Sequence, residues 1–229
     1  MTENLKPKKP RPRRRRKSRA TKPKEKIPKE LNPKRLEKIE GGEHIKTINK
    51  KDRDLFHAMR SVCYVQKQHY EQLGIARTRM RNFEKDGYVE AVYYRNKRNK
   101  RHEVAYTLTE KGRELVTKHI DKDDFYSSTS PNHDRKLADV YFSLDEETRQ
   151  TWKTEVTLKR ELTQEMYHDS NLLSLFQSEK ISVTDGAYQL SNGSYQLVEI
   201  YTENYRLHHR MAKELYAATV ECEMSTYRA

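Results

Sequence analysis

The stretch Leu73–Leu115, LGIARTRMRNFEKDGYVEAVYYRNKRNKRHEVAYTLTEKGREL, changes its hydrophobic period twice, and those changes decide the fold. Gly74 stands where a tight turn between two helices needs a residue free to take positive φ. Behind it, Ala76, Met80 and Phe83 fall on one helical face, with Arg77, Thr78, Arg81, Asn82 and Lys85 on the other, and Gly87 is placed to end the helix. From Val89 the period becomes that of a strand. Val89, Ala91 and Tyr93 alternate with Glu90, Val92 and Tyr94, and Val104–Leu108 repeats the pattern. Between them lies RNKRNKR, whose Asn96 and Asn99 tolerate left-handed backbone. A hairpin carrying Lys97, Arg98, Lys100 and Arg101 at its tip follows, and Thr109 opens a closing helix.

Working outward, KKDRDLFHAMRSV places Leu55, Met59 and Val62 at i, i+4 and i+7, with Phe56 widening the apolar stripe, and a short helix ends at Leu73. Helix, helix-turn-helix, hairpin, helix is an order that resembles the winged helix-turn-helix of bacterial MarR-type and PadR-type regulators, over about residues 50–120. LGIARTRMRNFEKDGYVE followed by YTLTEKGREL carries the likeness. It implies that the second helix of the turn pair enters a DNA major groove and that the hairpin tip lies on backbone or in a neighbouring minor groove. Arg77 and Arg81 are then the candidates for base edges, because a guanidinium pairs bidentately with guanine. Thr78 and Asn82 share their face, while Lys85 and the tip cations would position the protein on phosphate.

The charge distribution agrees with a polyanionic partner. Residues 1–40 carry 17 Lys and Arg against 5 Asp and Glu, residues 41–118 carry 18 against 10, and residues 119–229 carry 12 against 19. The arm, KPKKPRPRRRRKSRATKPKEK, has almost nothing apolar to bury, so it is expected to be disordered by itself, with Arg13, Arg14, Arg15 and Arg16 lying along phosphates in a salt-sensitive way. Cys63 and Cys222 form no CxxC or Cys/His pattern, and His57 and His69 have no second ligand at metal spacing, so neither a disulfide framework nor a metal or other cofactor is expected. With no apolar run of membrane length and no secretion signal, the expectation is a cytoplasmic protein without a membrane partner.

Residues 121–132 are polar and turn-rich and read as a linker. Beyond them a helical stripe runs through Leu137, Val140, Tyr141 and Leu144. TWKTEVTLKREL alternates Trp152, Thr154, Val156 and Leu158 with polar residues, as a half-buried strand would. KISVTDGAYQL and SYQLVEIYTE flank SNGS as a second hairpin, and Leu207, Met211 and Leu215 mark a last helix expected to pack on a sheet. The fold class expected is α+β: a disordered basic arm (1–40), a winged helix-turn-helix (41–120), the linker (121–132) and a small α/β domain (133–229).

The helix HDRKLADVYFSL, the strand with Trp and Glu, TDGAYQL, LVEIYTENY and the long last helix are together similar to the replication-relaxation family of mobile-element proteins. That resemblance, over about residues 50–220, implies a winged helix followed by a domain like the PD-(D/E)xK endonuclease core. Its hydrolytic version needs two carboxylates on Mg²⁺ and a lysine near the attacking water. Asp185 and Glu199 occupy the acidic places, with Glu155 as a third acid, but Tyr201 stands where the motif has its lysine; Lys180 or Lys159 would have to take its place, and neither is at motif spacing.

The leading expectation is a sequence-specific double-stranded DNA-binding protein of a plasmid, conjugative element or phage. It would act as a transcriptional regulator or as an accessory at a replication or transfer origin, with no catalytic residues. Its second domain would engage a relaxase, a replication initiator or a second copy of the chain. A Mg²⁺-dependent nuclease using Asp185 and Glu199, and an RNA-binding protein, are the alternatives.

Overall fold

The computed structural model describes residues 37–38, 42–97, 99–120, 123–128, 130–203 and 205–229. Arg98 and the arm cations Arg13, Arg14, Arg15 and Arg16 lie outside the described residues. Two short strands, β1 (Glu37–Lys38) and β2 (Thr47–Ile48), pair antiparallel ahead of α1 (Lys50–Val62). Asn49 starts that helix with a reciprocal capping box: its side chain accepts from Asp52 N (3.1 Å) while the Asp52 carboxylate accepts from Asn49 N (2.8 Å). The expected stripe of Leu55, Phe56, Met59 and Val62 is buried. Next come α2 (Lys67–Gln72), α3 (Arg77–Lys85), the antiparallel hairpin β3 (Val89–Arg95) and β4 (His102–Leu108), and α4 (Glu110–Ile120).

The second half begins with α5 (Pro131–Ser143), which buries Leu137, Val140 and Tyr141, and continues through α6 (Glu146–Gln150). A four-stranded sheet follows, in the order β5 (Lys153–Thr154), β6 (Gly186–Gln189), β7 (Tyr195–Tyr201), β8 (Glu223–Arg228). The first three are antiparallel neighbours. β8 runs parallel to β7, which requires a crossover, and α9 (Leu207–Thr219) supplies it. Between β5 and β6 lie α7 (Glu155–Met166) and α8 (Ser170–Gln177).

Three sequence expectations change here. The strand expected over 151–162 lasts two residues: Thr154 caps a helix by accepting from Thr157 N (3.3 Å), and Leu158, Leu162 and Met166 form its buried stripe, leaving Val156 exposed. The alternation from Trp152 to Leu158 and the helical spacing from Leu158 to Met166 overlap in one segment, and the longer helical pattern buries more. The last helix buries Ala212, Tyr216 and Ala217, not Leu207, Met211 and Leu215, which are 71%, 59% and 37% exposed. The segment expected to be a linker carries two anchors. Asp124 accepts from Arg60 Nη1 (2.7 Å), and the buried Tyr126 donates its backbone N–H to Arg60 O (2.9 Å).

One apolar core consequently runs through both halves. Leu55, Phe56 and Val62 belong to the same buried cluster as Leu137, Tyr141, Trp152, Val198 and Ile200. Polar ties reinforce the join: His57 Nδ1 lies 3.0 Å from the Tyr141 hydroxyl, and His69 Nε2 lies 3.0 Å from Asp139 while its ring stacks on Phe142. A smaller cluster of Leu158, Leu162, Leu172, Leu197 and Tyr216 joins α7, α8 and α9 to the sheet.

Candidate nucleic-acid interface

The orientation of α3 follows from the residues on either side of it. Gly74 adopts φ +72°, closing the turn after α2, and Ile75 N donates to Tyr70 O (2.9 Å). Ile75, Met80 and Phe83 are then driven inward, Phe83 meeting Phe56 edge-on at 5.0 Å between ring centroids. Ala76, expected on that apolar face, is exposed at the N-cap. The outward face presents Arg77, Thr78, Arg81 and Lys85, with Asn82 half-buried beside them.

Arg79, between two of these residues, is used differently. Its Nε and Nη2 hold the Asp52 carboxylate (3.1 and 2.7 Å), Nη2 also donates to Thr47 O (2.7 Å), and the guanidinium lies over the Phe83 ring. Among the described residues, no carboxylate lies within ion-pairing distance of Arg77, Arg81 or Lys85. One cation of the helix is thus committed to the fold, and three point to solvent.

The closing helix props the hairpin from behind. A Cβ on Gly112 would stand 2.0 Å from Tyr88 O, so the glycine of LTEKG is what lets α4 abut the start of β3. At the far end, the Glu103 carboxylate accepts from Gln66 Nε2, Tyr94 OH, Asn96 Nδ2 and Asn99 Nδ2 at 2.7–2.9 Å. Burial works to raise its pKa, but the donors of Asn99, Gln66, Asn96 and Tyr94 outweigh burial and hold it at about 2. The tip is tied as well: Lys97 N donates to Asn132 Oδ1 (2.9 Å), and Asn132 Nδ2 donates to Arg95 O (3.2 Å), fixing it to the N-terminus of α5. Lys97, Lys100 and Arg101 stay exposed.

The two acids expected for metal chemistry do come together. Asp185 N donates to Glu199 Oε2 (3.2 Å) at the head of the β6–β7 pair. Both carboxylates already have partners. Asp185 Oδ2 accepts from Ile200 N (2.7 Å) and lies 3.2 Å from His133 Nε2; Glu199 accepts from Tyr205 OH (2.6 Å) and lies 3.2 Å from Lys213 Nζ, which also donates to Val183 O. Glu155 pairs with Lys159 (2.6 Å). Among the described residues, no group of three or more His, Cys, Asp or Glu could hold a metal ion. Asp185, Glu199 and Lys213 thus stand together as two carboxylates and a lysine, and with His133 they form an ion-pair network joining α5, the sheet and α9. Burial opposes charge on His133, but its contacts with Asp134 and Asp185 prevail and raise its pKa to about 10. Burial and then the Asp185 charge push Glu199 up to about 7, against the pull of Lys213 and Tyr205.

A family model described as Replication-relaxation matches residues 57–203, from within α1 to just past β7. The chain belongs to the replication-relaxation family. No curated protein and no solved structure matches it.

Within this replication-relaxation protein, Lys213 is a residue that sequence reasoning missed. The lysine beside the acidic pair comes from the helix that crosses from β7 to β8, where neither Lys159 nor Lys180 was placed to reach it and strand-motif spacing gives no signal. Tyr93 is a second. The strand pattern set it with Val89 and Ala91 on one face, but the hairpin runs outward past the core, so Val89 is buried while Tyr93 is 76% exposed. Tyr94, on the opposite face, is covered near Gln66 and Glu103.

Proposed function

We propose that this replication-relaxation protein binds double-stranded DNA with sequence preference, using α3 as the reading helix and the β3–β4 hairpin as the wing of a winged helix-turn-helix. The observation that carries the reading is the division of labour on α3: Arg79 is consumed by Asp52, whereas the outward Arg77, Arg81 and Lys85 have no acid among the described residues to neutralise them. Arginines facing solvent from a helix anchored by Met80 and Phe83 are suited to guanine edges in a major groove, and Lys85, Lys97, Lys100 and Arg101 to phosphate. The basic balance of residues 1–118 adds sequence-independent affinity.

The family description favours a role at a replication or transfer origin over general transcriptional control. Partners at such an origin, a relaxase or initiator among them, would meet the acidic second half. The test is selection of bound duplexes from random and plasmid DNA by the full chain near physiological salt, with Mg²⁺ present. An enriched motif with intact ends supports the reading. Uniform recovery of all sequences defeats it.

A further inference from the structure

The exposed stripe on α9 is a feature that the packing of the described residues leaves unexplained. Leu207, Met211 and Leu215 recur every four residues along a face that the sheet does not cover, in a chain whose mean hydropathy is −1.15. They account for three of the large hydrophobic side chains that are exposed among the described residues; Tyr167, Leu173 and Phe176 sit on or just after α7 and on α8. The inner face of α9 is fully committed, through Ala212, Tyr216 and Ala217 to the core and through Lys213 to Glu199 and Val183.

From this geometry we infer that α9 pairs antiparallel with α9 of a second copy of the chain, about a two-fold axis at Met211. The spacing is self-complementary. Such an axis sets Met211 against the partner's Met211 and Leu207 against the partner's Leu215, so each end of the stripe covers the other.

The charges beside the stripe agree with this arrangement. At about 100° and 1.5 Å per residue, Arg210 and Glu214 lie on one flank of it, four residues apart, and pair within the helix at 2.8 Å. A two-fold axis in the interface plane keeps that flank on the same side in both copies and reverses its order. Arg210 then comes within about 3 Å, measured along the helix axis, of the level of the partner's Glu214. The four charges then lie together on one side of the apolar contact, each Arg210 between the Glu214 of its own helix and that of the partner. The inference is independent of DNA binding, and α9 lies outside the segment matched by the family model.

The test uses the full chain without DNA. Met211→Cys should form a disulfide-linked dimer under mild oxidation, because a residue on the axis faces its own copy, while Tyr167→Cys, at a more accessible position elsewhere, should not. In sedimentation, Glu214→Arg should weaken association about tenfold or more, and the exchanged pair Arg210→Glu with Glu214→Arg should restore it, which a folding defect would not do. A helix-pair contact is small beside the roughly 1,600 Å² of a standard interface, so a dissociation constant on the order of 10 μM is expected. A chain monomeric at about tenfold above that value, or equal crosslinking of the two cysteine variants, overturns the inference.

Discussion

Arg60 Nη1 and Asp124 Oδ1 meet at 2.7 Å, with side chains only 2% and 10% exposed, and this pair clamps the segment between the two halves onto the first helix. Thr154 and Thr157 hydroxyls also reach the Asp124 carboxylate, so one acid gathers α1, the connecting segment and the start of α7. Burial pulls the Arg60 pKa down despite the Asp124 charge, while Asp124, itself opposed by burial, is held low by Thr157 and Arg60. Removing the acid alone should strand a buried cation: Asp124→Ala is expected to cost about 3–5 kcal/mol in urea unfolding. Arg60→Met with Asp124→Leu should cost less than that single change, and a larger loss in the double variant would contradict the account.

Arg79 and Arg81 are two residues apart and should behave oppositely. Arg79→Ala leaves Asp52 buried without its guanidinium and should lower stability by about 1–3 kcal/mol. Arg81→Ala should leave the unfolding midpoint within about 0.5 kcal/mol of wild type and cost about 1–3 kcal/mol of binding at the preferred DNA site, relaxing its sequence preference. Equal losses on cognate and random duplexes would remove Arg81 from base reading.

The hairpin tip should position without specifying. Lys100→Ala with Arg101→Ala is expected to weaken binding to every sequence alike and to reduce the salt dependence by about one unit of slope per lost phosphate contact, measured by titration at several salt concentrations. Preserved salt dependence would place the tip away from the DNA.

His133 gives the fold a pH dependence of known sign. Its pKa is raised from the usual 6.5 to about 10 by Asp134 and Asp185 against burial, so the stabilisation from its protonated form is complete below 6.5, declines as pH rises and is gone above about 10. Glu199, raised from 4.5 to about 7, contributes in the same direction in a lower window. His133→Gln should therefore melt below wild type at pH 6.5, with the gap closing towards pH 10. A gap independent of pH would show that His133 is not held protonated.

The acidic pair should prove structural. Asp185→Asn is expected to lower the melting temperature by weakening the contact with His133, and supercoiled plasmid with Mg²⁺ should stay intact with wild type and variant alike. Metal-dependent cleavage that the substitution abolishes would reverse the assignment.

What the sequence determined by itself is local. The stripe of Leu55, Met59 and Val62, the turn at Gly74, the two faces of α3 and the asparagine-rich hairpin all follow from interactions within a few residues, where spacing alone sets which side chains share a face. The placing of Asp185 beside Glu199 was legible too, from the hairpin around SNGS. Tertiary structure decided the rest. A stripe such as Leu207, Met211 and Leu215 says that a helix is amphipathic but not which face a sheet will take. Here the small side chains of Ala212 and Ala217 allow α9 to lie close to the sheet, and Lys213 binds Glu199 from that same side. Arg60 with Asp124, His69 with Asp139 and His133 with Asp185 are partners 52 to 70 residues apart. Periodicity carries no record of such pairs, because they form only when the core that buries them has assembled.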